Sequence, residues 1–468
     1  MKPTPSLRER ARFRCVRCGK GAWQCFVSKF WVSASAIALG ALPAMQSARV
    51  IASDARAPAA RSSGVEICST EFRGDKLDQR NILPHAFIAI FLTAGLLGVQ
   101  NAQAAVSAHA GRTRTYFVAA EEVEWNYAPS GRDEAMGMPF DEIAKGFTQA
   151  GPHQIGSLYK KAIYREYTDA TFRTLKPRPP QAGYLGLVGP ILHAEVGDTI
   201  KVVFKNKAMH PYSMHPHGVL YAKDSEGADY NDSSEDADKS DGCVVPGATH
   251  TYIWLVPERA GPGPRDPSSV FWLYHWHCDE LRDVASGLFG GFVITRRGMA
   301  RPDGTPEQVD KEFVTFFIAI NENESWYFDE NIREHTTDPK GIKRGDFGPL
   351  TATGIAGTVA GTGFAATNVK WSINGYIYGN MPMMVMKKGD HVRWYVTTLG
   401  DFNNAHTPHW HGNTVLVAGQ RTDVLSIVSA QMITADMVPD ASGIWLLHCH
   451  ISDHMLAGMM GRYRVTDR

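Results

Sequence analysis

Trp445-Leu-Leu-His-Cys-His-Ile-Ser-Asp-His-Met-Leu-Ala-Gly-Met-Met460 decides how the rest of the chain is read. It holds His448, Cys449 and His450 in a row, followed by His454 and Met459. Side chains alternate faces along a strand, so His448 and His450 point one way and Cys449 the other. One strand then serves two metal sites back to back, with the cysteine backbone as the covalent bridge between them. Cys449, His454 and Met459 offer a thiolate, an imidazole and a weak axial thioether, the donor set of a mononuclear copper site. Such a site needs a second imidazole, and His406 is the candidate.

Further out stand four His-x-His pairs: His215/His217, His275/His277, His409/His411 and His448/His450. Neutral imidazole suits copper, zinc, iron or nickel. Eight such nitrogens at matching places suit a cluster of three metals better than a single ion. The pairs belong to an internal repeat. Val196-Gly-Asp-Thr-Ile-Lys-Val-Val203 resembles Lys388-Gly-Asp-His-Val-Arg-Trp-Tyr395, and His215-Pro-His217-Gly resembles His409-Trp-His411-Gly. Trp272-Leu-Tyr-His-Trp-His277 resembles Trp445-Leu-Leu-His-Cys-His450. Three matches in the same order mean two copies of one domain. The boundaries read as an N-terminal extension over 1–104, a first domain over 105–300 whose recognisable copy starts near Arg112, and a second domain over 308–468. Arg296–Gln308, with Gly298, Pro302, Gly304 and Pro306, joins them.

The copies read as all-β. Short strands are expected at Thr113–Ala119, Thr199–Lys205, Thr249–Val256, Phe313–Ile320, His391–Thr397 and Val424–Val428, punctuated by Gly and Pro in the manner of a β-sandwich. Between its two His-x-His pairs the first copy carries an extra loop, Asp224–Gly242, with eight acids and one lysine. It reads as a solvated loop, with cation guidance or contact with a neighbouring chain as alternatives. The glycine-rich run Gly354–Gly363 lacks a strand-Lys-Ser/Thr context and reads as a flexible loop, not a phosphate cradle.

The whole chain of 468 residues balances 48 basic against 48 acidic side chains. No basic run interleaves with aromatics, so no nucleic-acid partner is expected. The first hundred residues differ in character and hold four of the seven cysteines, Cys15, Cys18, Cys25 and Cys68. Cys15-Val-Arg-Cys18 lacks a well-spaced second pair for zinc. Arg80–Gly98 has a short apolar core closed by Asn101-Ala-Gln-Ala104, the pattern of a secretory signal peptide cut after Ala104. It lies far from Met1, so either translation starts near residue 80 or residues 1–79 are an extension. An uncleaved anchor is the alternative, although the apolar run is short for a membrane span. The expectation is an exported protein, periplasmic or secreted, with no stable membrane anchor after processing. Cys243, Cys278 and Cys449 then remain. Export permits a Cys243–Cys278 disulfide, but no feature of the sequence supports one.

The sequence resembles the multicopper oxidases, the family of laccases, ascorbate oxidase and ceruloplasmin. His406-Thr-Pro-His409-Trp-His411-Gly, and His448-Cys449-His450 with His454 and Met459, match that family's two signatures. In the first copy Ala119–Pro129, Leu187–Leu192, Tyr212–Gly218 and Trp272–His275 resemble ceruloplasmin and blood-clotting cofactor domains. The resemblance covers nearly all of 112–468 and none of 1–104. It implies two cupredoxin-like Greek-key β-sandwich domains in tandem. It also implies copper as cofactor: one type 1, one type 2 and a type 3 pair per chain. By position, His406, Cys449, His454 and Met459 would hold type 1, His215 and His409 type 2, and His217, His275, His277, His411, His448 and His450 the type 3 pair. Trp276 stands where a type 1 cysteine would, and Cys278 comes two residues late, so the first copy would lack that site. A cluster drawing on both copies lies between a first and a second domain. Two-domain laccases place it between neighbouring subunits of a homotrimer, a head-to-tail arrangement that closes into a ring; pairing within one chain is the alternative.

The expected activity is a laccase-like oxidation of phenolic or other small donors, coupled to reduction of dioxygen to water. Electrons would enter near His406 or His454, where an exposed imidazole edge is expected, and pass through Cys449 to His448 and His450. Proton delivery needs a carboxyl, and Glu226 and Asp224, shortly after His217, are the candidates; Tyr221 lies close by in sequence. Met381, Met383, Met384, Met386, Met432, Met437, Met455 and Met460 suit either Cu(I) or core packing. Asp401 and Asp423 flank the expected type 1 region. These residues keep open a metal oxidase of Cu(I), Fe(II) or Mn(II) in copper tolerance. A copper nitrite reductase or a non-catalytic copper-binding protein are readings of another class, and the four complete histidine pairs argue against both.

Overall fold

The computed structural model describes residues 14–18, 22–26, 111–233, 239–346, 363–400 and 405–467. The signal-like segment 80–104, most of the glycine-rich run and Asp401 lie outside them. The chain divides into two units, 1–83 and 84–468. In the first, β1 (Arg14–Cys18) and β2 (Ala22–Phe26) pair antiparallel. Everything below concerns the second.

Two sheets form the first half. One runs β4-β3-β6-β8 from β3 (Thr113–Asn126), β4 (Leu158–Tyr167), β6 (Thr199–Asn206) and β8 (Thr249–Leu255). The other runs β5-β10-β9-β7 from β5 (Ile191–Glu195), β7 (His215–Pro216), β9 (Ser269–His275) and β10 (Phe289–Thr295). Alternation sets which face is buried. In β6, Ile200, Val202 and Phe204 point inward while Lys201 and Val203 are partly exposed, as a one-sided sheet requires. They meet Leu192, Trp254, Phe292 and Ile294 in one core.

The second half repeats this plan strand for strand. β11 (Lys311–Asn321), β12 (Val369–Ile373), β14 (Val392–Thr397) and β20 (Met432–Met437) run β12-β11-β14-β20, extended by β17 (Val415–Val417) and β18 (Gln420–Thr422). β13 (Met384–Lys387), β16 (Pro408–Trp410), β21 (Gly443–Cys449) and β22 (Met460–Thr466) run β13-β22-β21-β16. The pairing senses also match: β3 with β6 and β11 with β14 are parallel, as are β10 with β5 and β22 with β13. The fold is all-β, two sandwiches in tandem. The strand expected at Val424–Val428 shrinks to β19 (Ile427–Val428), paired with β15 (Ala405–His406).

The halves share a core. Phe271 stacks on Tyr395 at 5.6 Å and Phe289 packs on Phe316 at 5.1 Å. Beside them, Lys161 and Tyr127 of the first half both donate to the Glu322 carboxylate, with Lys161 and Glu322 fully buried. The second-half methionines mostly fill this core: Met381, Met384, Met386, Met437 and Met460 are buried. Cys243 and Cys278 form a disulfide, Cα atoms 6.0 Å apart, the pair for which the sequence offered no support. No helix of the described residues is long and apolar enough to cross a membrane.

Candidate metal centre

β21 ends on Cys449, β15 ends on His406, and a short helix over Ser452–Leu456 carries His454. The three converge. His406 Nδ1 and His454 Nδ1 are 3.1 Å apart, and Cys449 Sγ lies 3.9 Å from the first and 3.6 Å from the second. A point equidistant from these atoms lies about 2.1 Å from each, within the roughly 2.0–2.3 Å span of metal–nitrogen and metal–sulfur bonds. The donor set, one thiol and two imidazoles, fits copper. Thr407 N donates to Sγ at 3.3 Å. Met459 is tied in by backbone bonds, its N–H to His454 O at 2.9 Å and its C=O from Cys449 N at 3.1 Å, and is fully buried. Burial pushes the Cys449 thiol up and the imidazoles down, His406 to about 3 and His454 to about 4. The imidazoles are thus already in their ligating form at neutral pH, and copper would displace only the thiol proton.

The expected exposed imidazole edge is absent. His406 is 1 % exposed and His454 4 %. Trp371, on β12, covers His454, and its indole is itself fully buried. No sequence pattern marked Trp371, because it is brought to His454 from a strand more than eighty residues away.

The four His-x-His pairs gather into two quartets of the same design. His215 sits opposite His275 across β7 and β9, and His409 opposite His448 across β16 and β21. A glycine follows each first pair because Trp272 and Trp445 lie where a Cβ on Gly218 or Gly412 would fall, and both glycines have positive φ. In the second quartet His448 Nε2 lies 3.1 Å from His409 Nδ1 and 3.0 Å from His411 Nε2, with the His450 ring 5.1 Å from that of His409. In the first, His217 Nε2 lies 2.9 Å from His275 Nε2, with the His277 ring 5.0 Å from that of His215. Backbone carbonyls set the tautomers. His448 Nδ1 donates to Cys449 O at 2.7 Å, His275 Nδ1 to Trp276 O at 2.9 Å and His215 Nδ1 to Glu226 O at 2.7 Å. Each such bond leaves Nε2 as the free donor, the usual second-shell arrangement of a metal-binding histidine. Burial holds His217 and His448 at about 4 and His275 at about 3. Neutral nitrogens this close fit a shared cation. Among the described residues, the histidine ring contacts of each quartet stay within that quartet.

The acids fall differently from expectation. The Glu226 carboxylate binds Lys223 at 2.5 Å and Tyr230 at 3.0 Å, and it is the backbone carbonyl of Glu226 that holds His215. Asp224 offers its carbonyl to His250 at 2.8 Å. Tyr221 does come near, its ring 6.0 Å from that of His215. Two other carboxylates lie against quartet imidazoles. Glu280 is 3.8 Å from His277 and 4.0 Å from His275. Asp423, expected at the type 1 region, is 3.7 Å from His409 Nε2. Glu280 stands three residues after His277 and entering a helix, a spacing that could have found it. The acidic loop is not simply solvated. Asp241 is 1 % exposed and accepts from Gly227 N at 2.5 Å, its second oxygen is buried without a partner, and burial pushes its carboxyl up.

Comparison with known proteins places these observations in a family. One family model described as multicopper oxidase matches residues 185–298 and another of the same description matches 356–468. The chain is 41% identical to "Ferroxidase HEPHL1" of Homo sapiens over 76% of its own length and 29% of that protein's. It is 36% identical to ceruloplasmin of Homo sapiens over 75% of its length and 30% of that protein's. It thus spans less than a third of these curated relatives. A solved multicopper oxidase crystal structure aligns with 76% of this chain and 94% of that one, at 19% identity and a TM-score of 0.46.

Proposed function

Because the chain belongs to the multicopper oxidase family, which binds copper, we propose that it is a copper-dependent oxidase whose electron donor is a low-valent metal ion, Fe(II) first, with dioxygen as acceptor. The observation that carries the choice of donor is the 41% identity to a protein named a ferroxidase. Cu(I) and Mn(II) are the related donors.

In this reading His406, Cys449, His454 and Met459 hold type 1 copper, His215 and His409 type 2, and the remaining six quartet histidines the type 3 pair. Bound copper supplies one-electron transfer at Cys449 and dioxygen reduction among the histidines. The chain does the rest. The backbone of Cys449 joins the first site to His448 and His450. Carbonyls of Glu226, Trp276 and Cys449 aim the imidazoles. Among the described residues, Glu280 and Asp423 are the carboxylates beside the quartet imidazoles and the candidates for proton delivery, whereas the Glu226 side chain is committed to Lys223 and Tyr230. Trp371 packs against the His454 ring.

That no ring contact among the described residues joins one quartet to the other supports a cluster completed by a neighbouring subunit, as in a head-to-tail homotrimer. Sedimentation of the copper-loaded protein checks it, and a monomer holding a full copper complement rejects it. The strand-for-strand repeat supports two cupredoxin-like domains over 105–300 and 308–468. The Cys243–Cys278 disulfide supports export to an oxidising compartment, periplasmic or extracellular.

A second reading is laccase-like oxidation of phenols, which the same copper ligands would serve. Oxygen uptake with Fe(II), Cu(I), Mn(II) and phenols, compared as kcat/KM, separates the two. A phenol preferred over every metal ion reverses the order. Copper per chain by elemental analysis tests the common premise: about four supports it, and about two points to the nitrite-reductase layout.

A further inference from the structure

The two copies brace their last His-x-His pair by different means. In the second copy, Cys449 lies between His448 and His450, and its sulfur converges with His406 and His454 on one metal position. A metal there pins the strand end and the following helix together, and His450 N–H donates to Thr407 O at 2.8 Å. In the first copy the equivalent residue is Trp276, 1 % exposed, with its ring 4.6 Å from that of Tyr212 and its indole N–H unpartnered. It binds no metal, so that pin is missing. Among the described residues no backbone carbonyl holds the His277 imidazole, although His275 and His215 each have one. The polar neighbour of His277 is the half-exposed Glu280 carboxylate at 3.8 Å.

Directly after His277 comes Cys278, bonded to Cys243. The equivalent second-copy residue is Ile451. Cys243 closes the loop that begins near Asp224, and this loop touches the histidines twice more. Ala228 forms a bridge with His277, and Glu226 O accepts from His215 Nδ1. Gly242 packs so close to Ala228 that a Cβ there would lie 3.0 Å from the Ala228 carbonyl carbon, and Asp241 accepts from Gly227 N. The two described ends of the loop, 226–228 and 241–243, the disulfide and the two outer histidines, His215 and His277, therefore form one closed circuit.

We infer that the Cys243–Cys278 disulfide takes the place, in the first copy, of the type 1 copper of the second, as the brace that positions His277 and with it the copper cluster. Cys243 and Cys278 are positioning residues. The inference rests on the copper reading above. Opening the bond, with two electrons and two protons taken up to give two thiols, frees His277 and the loop but leaves the site at Cys449 untouched.

The test compares the full chain with its Cys243→Ser/Cys278→Ser double variant, both loaded with copper, by elemental analysis, by the thiolate–copper charge-transfer band and by the absorption of the type 3 pair. The expected result is a fall from about four coppers per chain to about one, with the thiolate band unchanged per chain and the type 3 absorption gone. A variant that keeps the wild-type copper content and type 3 absorption overturns the inference. So does a variant that loses the thiolate band as well, since the disulfide then serves the fold at large. Wild type reduced by a trialkylphosphine, which takes oxygen from water as the thiols form, and freed of it before loading gives the second measurement. It should show the same selective loss, and reoxidation by dioxygen before loading should restore the cluster; no restoration counts against the brace. A wild type that never holds the cluster coppers fails the copper reading itself, and is told apart because no variant is needed to see it.

Discussion

Trp371 lies against His454 with ring centroids 4.0 Å apart and planes inclined by 29°, and it faces His406 edge-on at 6.3 Å. The indole and both imidazoles are buried together, with His406 1 % and His454 4 % exposed, so little of either imidazole is open to a donor in solution.

Trp371→Ala should cost about 3–5 kcal/mol of stability, the range for emptying a large aromatic from a packed core, read by denaturant unfolding. In the copper-loaded protein it should also lower the reduction potential of the type 1 site, because water reaching His454 favours the more charged oxidised ion. A redox titration showing a rise contradicts this account.

Glu280→Gln should lower kcat by about a hundredfold, the lower end of general acid–base contributions, at unchanged copper content. Among the described residues, its carboxylate is the one within 4.0 Å of two quartet histidines. Glu226→Gln and Asp224→Asn should change kcat far less than Glu280→Gln does: the Glu226 side chain is committed to Lys223 and Tyr230, and Asp224 meets His250 through its backbone carbonyl. Steady-state kinetics beside elemental analysis settle the order.

The Lys161–Glu322 pair joins the halves where both side chains are fully buried. Burial pushes Lys161 down and Glu322 up, against their mutual attraction. Removing one partner strands a buried charge, so Lys161→Met alone should cost about 3–5 kcal/mol. Lys161→Met with Glu322→Leu should recover much of that, as replacement of a whole buried pair by apolar groups often does. Equal losses in the single and double variants would show that the pair does not act as a unit.

The copper-free protein should weaken on acidification. Burial holds His275 and His406 at about 3, and His217, His448 and His454 at about 4, whereas in the unfolded chain each titrates near about 6.5. Below that value the unfolded state binds protons that the folded state refuses, so stability falls with pH from about 6.5 down to about 4. Thermal unfolding at a series of pH values checks it. A Tm flat across that window contradicts the burial of these imidazoles, and copper loading should raise Tm throughout it.

Much of the site was legible from local pattern. That the two histidines of each His-x-His pair share a face follows from two-residue periodicity, and a repeat of whole motifs announces the repeat of whole sheets. Nearness in sequence to His217 does bring Glu226 to the histidines, but by its backbone and not by its carboxylate. A tight turn carries the Glu226 side chain to Lys223 while leaving its carbonyl on His215. The acidic loop looked solvated because composition cannot show that Asp241 folds under Gly227.

The donors, their alternation on two strands and the duplication could be read from the residues alone, because strand period and covalent adjacency are local properties. What covers and braces those donors came from the packing of the folded chain. Trp371 reaches His454, Cys243 reaches Cys278, and each histidine quartet closes on itself, because contacts between distant segments depend on how two sheets pack and no pattern within either segment records them.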